Sequence, residues 1–259
     1  MWLVEAGWLN GGTLKDRVIV ADTRTEQQYM QGHIPGAVWL DISGIGARTS
    51  ESALPLLHQE LAAKFSILGI TGAEQIVFYD ESMGTKAPKA LWFLTYAGYR
   101  WGRCCTADSA RWQKAGLPVS TEKTVRPAKA FNVNANPAIF ASTDYVAKRI
   151  RSSTAVILDV RSRDEYSGKD TSQHCARMRT HLQAQSGWNG HSSGEPSELP
   201  PGCWTWRNVS GTLVQLPRRR FWSIATKGNR ASNTYLALQL LGYLASAQLR
   251  WIVAMNGRL

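Results

Sequence analysis

The sequence predicts an α/β protein: two tandem domains, each a parallel sheet flanked by helices, the second partly disrupted. Three observations predict it. Short apolar runs alternate with helical patterns in both halves, as expected of parallel strands covered by helices with ligand sites at the strand ends. A unit of apolar strand followed by Asp-x-Arg occurs twice, at Asp22 and Arg24 and again at Asp159 and Arg161, 137 residues further on. A strand–loop–helix unit ending in Gly-Tyr also occurs twice, its tyrosines Tyr99 and Tyr243 lying 144 residues apart. Two such units at nearly constant offset indicate a duplicated domain.

The elements follow in order. RVIVADTRTEQQYMQGHIPGAVWLD (17–41) opens with a buried strand at Val18–Ala21 that ends in the Asp-x-Arg turn. Pro35 and Gly36 then set a turn into the next strand. QIVFYDESMGTKAPKALWFLTYAGY (75–99) is strand, loop and helix, with Lys86 and Lys89 expected in solvent. STEKTVRPAKAFNVNANPA, polar with prolines near both ends, reads as a linker. The expected boundaries are 1–119 for the first domain, 120–138 for the linker and 139–259 for the second. TAVILDVRSRDEY (154–166) repeats the first unit, and FWSIATKGNRASNTYLALQLLGY (221–243) repeats the second. In the latter, a glycine-bearing loop runs into a helix, the arrangement that gathers backbone N–H groups around an anion. Ala225 stands where such a loop would carry a nucleophile, and Asp80 holds the equivalent place in the first half.

Bulk properties bound the function. The 259 residues are 44% hydrophobic, enough for a large core. No apolar run reaches the about 18 residues of a membrane span, and no secretory leader is apparent, so the cytoplasm is the expected location and no membrane partner is expected. Four cysteines are too few for a disulfide scaffold. The formal charge of +11 suits a polyanion or a small anionic substrate, but the basic residues form no stripe, so nucleic acid is not the expected partner. His174, Cys175, His181, His191 and Cys203 match no standard zinc spacing, and no metal is expected. His33 reads as a structural turn histidine rather than a base.

These strings resemble the rhodanese family, the two-domain thiosulfate sulfurtransferases. ADTR…Y…GHIPGAVWLD, LGI…IVFYD, ALWFLTYAGY and RWQKAGLPVS carry the resemblance in the first half, nearly continuously from 17 to 120. ILDVRSRDEYSGKD and GNRASNTYLALQLLGY carry it in the second. The resemblance implies a cysteine thiolate that takes the outer sulfur of thiosulfate as a persulfide and passes it to cyanide or another thiophile, without a cofactor. The partners implied are a small anionic sulfur donor and a thiophilic acceptor. It also implies an inactive first copy, which suits Asp80, and a catalytic second copy. There Gly228, Asn229 and Arg230 would hold the donor, and Asp159 with Arg161 would brace the turn. Ala225 would occupy the nucleophile's place, and a methyl group cannot accept sulfur. The alternative is a catalytically inactive rhodanese-like binding or regulatory module.

Residues 171–224 break the pattern: they hold four of the eleven tryptophans and no sustained helical or strand period. With synonymous codons chosen for the purpose, a frame displaced by two bases turns AQSGWNG (184–190) into Ala-Val-Trp-Leu-Glu-Trp, close to the GAVWLD of 36–41. The same displacement turns RFWSIATK (220–227) into Val-Leu-Val-Tyr-Cys-His-Gln-Gly, and GRCCTAD (102–108) into Ser-Leu-Leu-Tyr-Gly-Gly. A one-base displacement turns QLRWIV (248–253) into Asn-Tyr-Asp-Gly-Ser-Trp. Each resembles a family string at its place, so the chain is expected to be a frame-disrupted translation, through sequencing error or gene decay.

Overall fold

The computed structural model describes residues 2–11, 17–45, 50–81, 84–142, 145, 148 and 229–240, together with the backbone of 155–159, 184–186, 220–225 and 249–253. The chain divides into two compact units, one of residues 1–45 and 55–136, the other of 46–54 and 137–259.

The first unit holds β1 (Leu3–Val4), α1 (Ala6–Gly11), β2 (Val18–Asp22), α2 (Glu26–Gln31), β3 (Val38–Trp39), α3 (Leu54–Ser66), β4 (Gln75–Tyr79), α4 (Lys86–Tyr96), β5 (Gly102–Cys105) and α5 (Ser109–Lys114). Its strands form one sheet in the order β1-β5-β4-β2-β3, every pair parallel. The continuous apolar run Ile76–Tyr79 makes β4 a central strand buried on both faces. Amphipathic α3 buries Leu57, Leu61 and Phe65, one residue per turn on a single stripe. Thr25 and Gln28 close a capping box at α2, and Asp108 caps α5 by accepting from the Arg111 amide at 2.8 Å.

Helix α4 is apolar nearly all round and sinks almost entirely into this unit. That corrects the expectation for Lys89, which is 5% exposed rather than solvated. Its Nζ donates to the Ile45 carbonyl at 3.3 Å and lies 5.7 Å from the centre of the Phe93 ring. The long methylene stem lets a lysine lie within such a helix while its head finds polar partners. Lys86, one turn earlier, is half-buried.

Residues 120–136 run along the first unit as a strap with no regular element of its own. Ser120 and His33 exchange two backbone hydrogen bonds at 2.9 Å. Further along, the amides of Lys129, Asn134 and Asn136 donate to the carbonyls of Ser66, Ala97 and Tyr96. Phe131 packs against Phe65, ring centres 5.2 Å apart. Gly98, at φ +90°, makes the close approach possible, because a Cβ there would overlap the Asn134 carbonyl.

The second unit holds β6 (Ala155–Asp159), β7 (Ala184–Ser186), β8 (Arg220–Ala225), α6 (Asn229–Leu240) and β9 (Leu249–Val253). Its sheet runs β7-β6-β8-β9, again all parallel. Strands β7 and β8 lie in or at the edge of 171–224, and β8 is the strand of the strand–loop–helix unit expected at 221–243. The β7 string lacks a strand period, and pairing against β6 supplies what local pattern does not. Helix α6 buries Ala231, Ser232, Thr234, Tyr235, Leu236, Ala237 and Leu238.

The two sheets share one plan. Pairs Val18↔Gln75 through Asp22↔Tyr79 join β2 to β4, and Ala155↔Arg220 through Asp159↔Ile224 join β6 to β8. Strand β5 flanks β4 as β9 flanks β8, and β3 flanks β2 as β7 flanks β6.

One buried acid ahead of β4 gives the first unit a pH signature. Burial pushes the Glu74 carboxyl up, but hydrogen bonds from the Thr71 hydroxyl and from the amides of Thr71, Gly72 and Ala73 overcome it and bring the pKa down to about 2. A lowered folded value contributes stability above the unfolded value of 4.5 and loses it as pH falls through about 2. In urea titrations, Glu74→Gln is expected to flatten the acid limb between these pH values, on the order of 2 kcal/mol.

Candidate functional site

The site expected from sequence lies where the central strand of each sheet ends. In the first unit its foundation is Asp22, the last residue of β2 and wholly buried. Asp22 Oδ1 accepts from the Arg24 amide at 2.9 Å and from Arg24 Nε at 3.0 Å, and Oδ2 accepts from Arg24 Nη2 at 2.6 Å. Nη2 also donates to the Gly32 carbonyl at 2.7 Å. Burial weakens the Arg24 cation, and the Asp22 hydrogen bonds and charge more than restore it, so its pKa lies above the ordinary value. The pair is a brace for the turn that follows β2.

Tyr79, the last residue of β4, is the partner that the sequence pattern hid. Its hydroxyl donates to Asp22 Oδ2 and accepts from the Ile34 amide at 3.2 Å. Burial, then the Asp22 charge and hydrogen bond, push its pKa far above the ordinary range, so it remains a donor. Its carbonyl accepts from the Thr23 amide at 3.1 Å and the Thr23 hydroxyl at 2.8 Å. The ends of β2 and β4 are therefore joined by side chains as well as by the ladder. Only the residue's place before Asp80 could have signalled this, because within IVFY a tyrosine counts as one more core residue.

Asp80 follows at once and is 7% exposed. Its Oδ1 accepts from the Glu81 amide at 2.9 Å, and its Oδ2 from the amides of Lys86 and Ala87 at 2.7 and 3.3 Å. Burial raises its pKa, while the three amides and the Lys86 charge pull it back. The carboxylate thus takes the amides that begin α4, and this corner is filled by its own chain. Gly84 completes the fit, since a Cβ there would overlap the Asp80 carboxyl. The neighbouring thiols cannot substitute as nucleophiles. Burial pushes Cys104 well up and Cys105 to about 11, leaving almost no thiolate at neutral pH.

In the second unit, Ala225 is the last residue of the interior strand β8, and α6 begins four residues later at Asn229. Asp159 ends β6 as Asp22 ends β2. Asn229 and Arg230 form the first turn of α6, with Asn229 Oδ1 buried and without a hydrogen-bond partner among the described residues. Gly228, Arg161 and the histidines and cysteines weighed for zinc lie outside the described residues. The order of 168–224 is likewise outside them, except for β7 and β8. His33 is 2% exposed, stacks on Tyr29 at 3.8 Å, and sets its Nδ1 and Nε2 against the carbonyls of Tyr29 and Glu122 at 2.7 and 3.0 Å.

Residues 5–114 match the model of the rhodanese-like domain. Residues 5–114 are therefore a rhodanese-like domain. Sulfurtransferases are among the chain's relatives. The chain is 26% identical over 196 residues to the 3-mercaptopyruvate sulfurtransferase of Escherichia coli (strain K12), covering 70% of this chain and 68% of that protein. It is 23% identical over 246 residues to the thiosulfate sulfurtransferase of Azotobacter vinelandii, covering 93% of this chain and 88% of that one. The crystal structure of SseA from Escherichia coli, a 3-mercaptopyruvate sulfotransferase, shares the fold with a TM-score of 0.77 at 22% identity, over 98% of each chain. Both the α/β class and the tandem arrangement agree with that rhodanese structure. No helix among the described residues is long and apolar enough to cross a membrane.

Removing the Tyr79 hydroxyl leaves a buried carboxylate short of a donor. Tyr79→Phe is expected to cost about 1–3 kcal/mol in urea unfolding; an unchanged midpoint would show that Arg24 alone satisfies Asp22.

Proposed function

We propose that this chain descends from a sulfurtransferase that moves the outer sulfur of thiosulfate to cyanide or another thiophile through a cysteine persulfide, and that the chain as written does not run the reaction. The observation that carries the proposal is Ala225 at the C-terminal end of an interior parallel strand, ahead of a helix, in the place that Asp80 holds in the other copy. In that place a thiolate would meet the N–H groups at the start of the helix, which favour it over the thiol. Alanine offers no lone pair. Gly228, Asn229 and Arg230 would hold the anionic donor, with Arg230 supplying positive charge. Asp159 and Arg161 would brace the turn as Asp22 and Arg24 do. Thiosulfate is the donor proposed, and the relative from Azotobacter vinelandii is named for it.

The frame disruption belongs to the same proposal. The four strings whose displaced frames resemble family motifs fall on β5, β7, β8 and β9. The 184–190 string, which resembles 36–41 when displaced, falls on β7, beside β6 as β3 lies beside β2. This coincidence supports an ancestral gene whose strands stood where the damaged strings now stand. A catalytically inactive module is the second reading, favoured by an acid in one corner and a methyl group in the other.

Purified chain mixed with thiosulfate and cyanide is expected to form no thiocyanate above the protein-free rate. Turnover that rises with protein concentration would overturn the proposal.

A further inference from the structure

Resting on the sulfurtransferase reading, a second requirement of the corner follows from Tyr79. In the first unit the register sets Asp22 opposite Tyr79, the residue immediately before position 80. Tyr79 is 1% exposed, and its hydroxyl joins the Asp22 carboxylate to the Ile34 amide. One phenol therefore satisfies a carboxylate that no water reaches and fixes the strand end from which the loop at 80 departs. Arg24 supplies the remaining donors to Asp22 from the other side. Without the phenol, a buried carboxylate loses a charge-assisted hydrogen bond and the strand end loses its tie to the turn at Ile34.

In the second unit the register is the same over five successive pairs, and it sets Asp159 opposite Ile224, the residue immediately before position 225. Isoleucine is of similar hydrophobic character but carries no hydroxyl. We infer that residue 224 is a positioning residue of the sulfur site, that a tyrosine belongs there to serve Asp159 as Tyr79 serves Asp22, and that this chain is therefore disabled at two adjacent positions rather than one. Restoring a thiol at 225 alone leaves the strand end unbraced, and a nucleophile out of place by about an ångström reacts on the order of a hundredfold more slowly.

The test uses the full chain in three forms: Ala225→Cys, Ile224→Tyr with Ala225→Cys, and Ile224→Phe with Ala225→Cys. Each is given thiosulfate, and the sulfur added at position 225 is read by peptide mass. The step is balanced: the thiolate attacks the outer sulfur, a new S–S bond forms, the S–S bond of thiosulfate breaks, and sulfite leaves with the electron pair. The tyrosine form is expected to load at least about tenfold faster than the Ala225→Cys form, and the phenylalanine form to stay with Ala225→Cys. Rescue by tyrosine and not by phenylalanine assigns the effect to the hydroxyl, which ring packing alone would not do. Equal loading in all three overturns the inference and leaves the sulfurtransferase reading standing. Loading in none overturns that reading as well. Should the second-unit variants fail to fold, the first unit carries the same comparison. Tyr79→Ile with Asp80→Cys is expected to be alkylated by iodoacetamide about tenfold faster than Asp80→Cys, because the unbraced strand end opens more often, and equal rates overturn the inference.

Discussion

The architecture depends on a carboxylate that water cannot reach. Asp22 ends β2 inside the first unit, and an ionised group there is tolerated only because Arg24 and Tyr79 surround it with donors. The hydrogen bonds tie two parallel strands at the same level and fix the turn through Gly32 and Ile34. The loop that follows β4 therefore starts from a rigid point. A site that must hold an atom against a helix N-terminus needs such a starting point.

At that point the two copies carry opposite chemistry. In the first, Asp80 places its own negative charge on the amides of Glu81, Lys86 and Ala87, and no external anion can have them. In the second, Ala225 places an uncharged methyl group at the end of β8. The first corner is a self-contained cap. Sulfur chemistry at the second corner would draw on the amides that the first spends on folding.

Much of this was legible from residue pattern alone, for stated physical reasons. Strands β2 and β4 are apolar runs closed by an acid, and the strings of α4 and α6 are followed by Gly-Tyr in sequence, so length and composition sufficed to locate them. The Asp-x-Arg turn was visible because two charges beside a buried strand must pair. Tyr79 escaped because a phenol in an apolar run scores as core, and its polar end shows only when the partner strand is in place. Lys89 escaped because charge was weighed without noticing that the residues around it from Ala87 to Leu94 are otherwise apolar. Strand β7 escaped because its letters have no strand period, and only the register against β6 locates it. Sites at Gly228 and Arg161 lie beyond the described residues, so there the family resemblance is the whole argument.

In the proposed origin, the second copy was built on the same corner and this polypeptide carries it in a displaced frame. The nucleotide sequence of the gene tests that most directly. The codons for 184–190, 220–227 and 102–108, displaced by two bases, are expected to spell the strand strings, with a cysteine codon straddling Ile224 and Ala225. Codons that spell none of them in any frame would contradict it, and Ala225 would then be the residue this chain was built with.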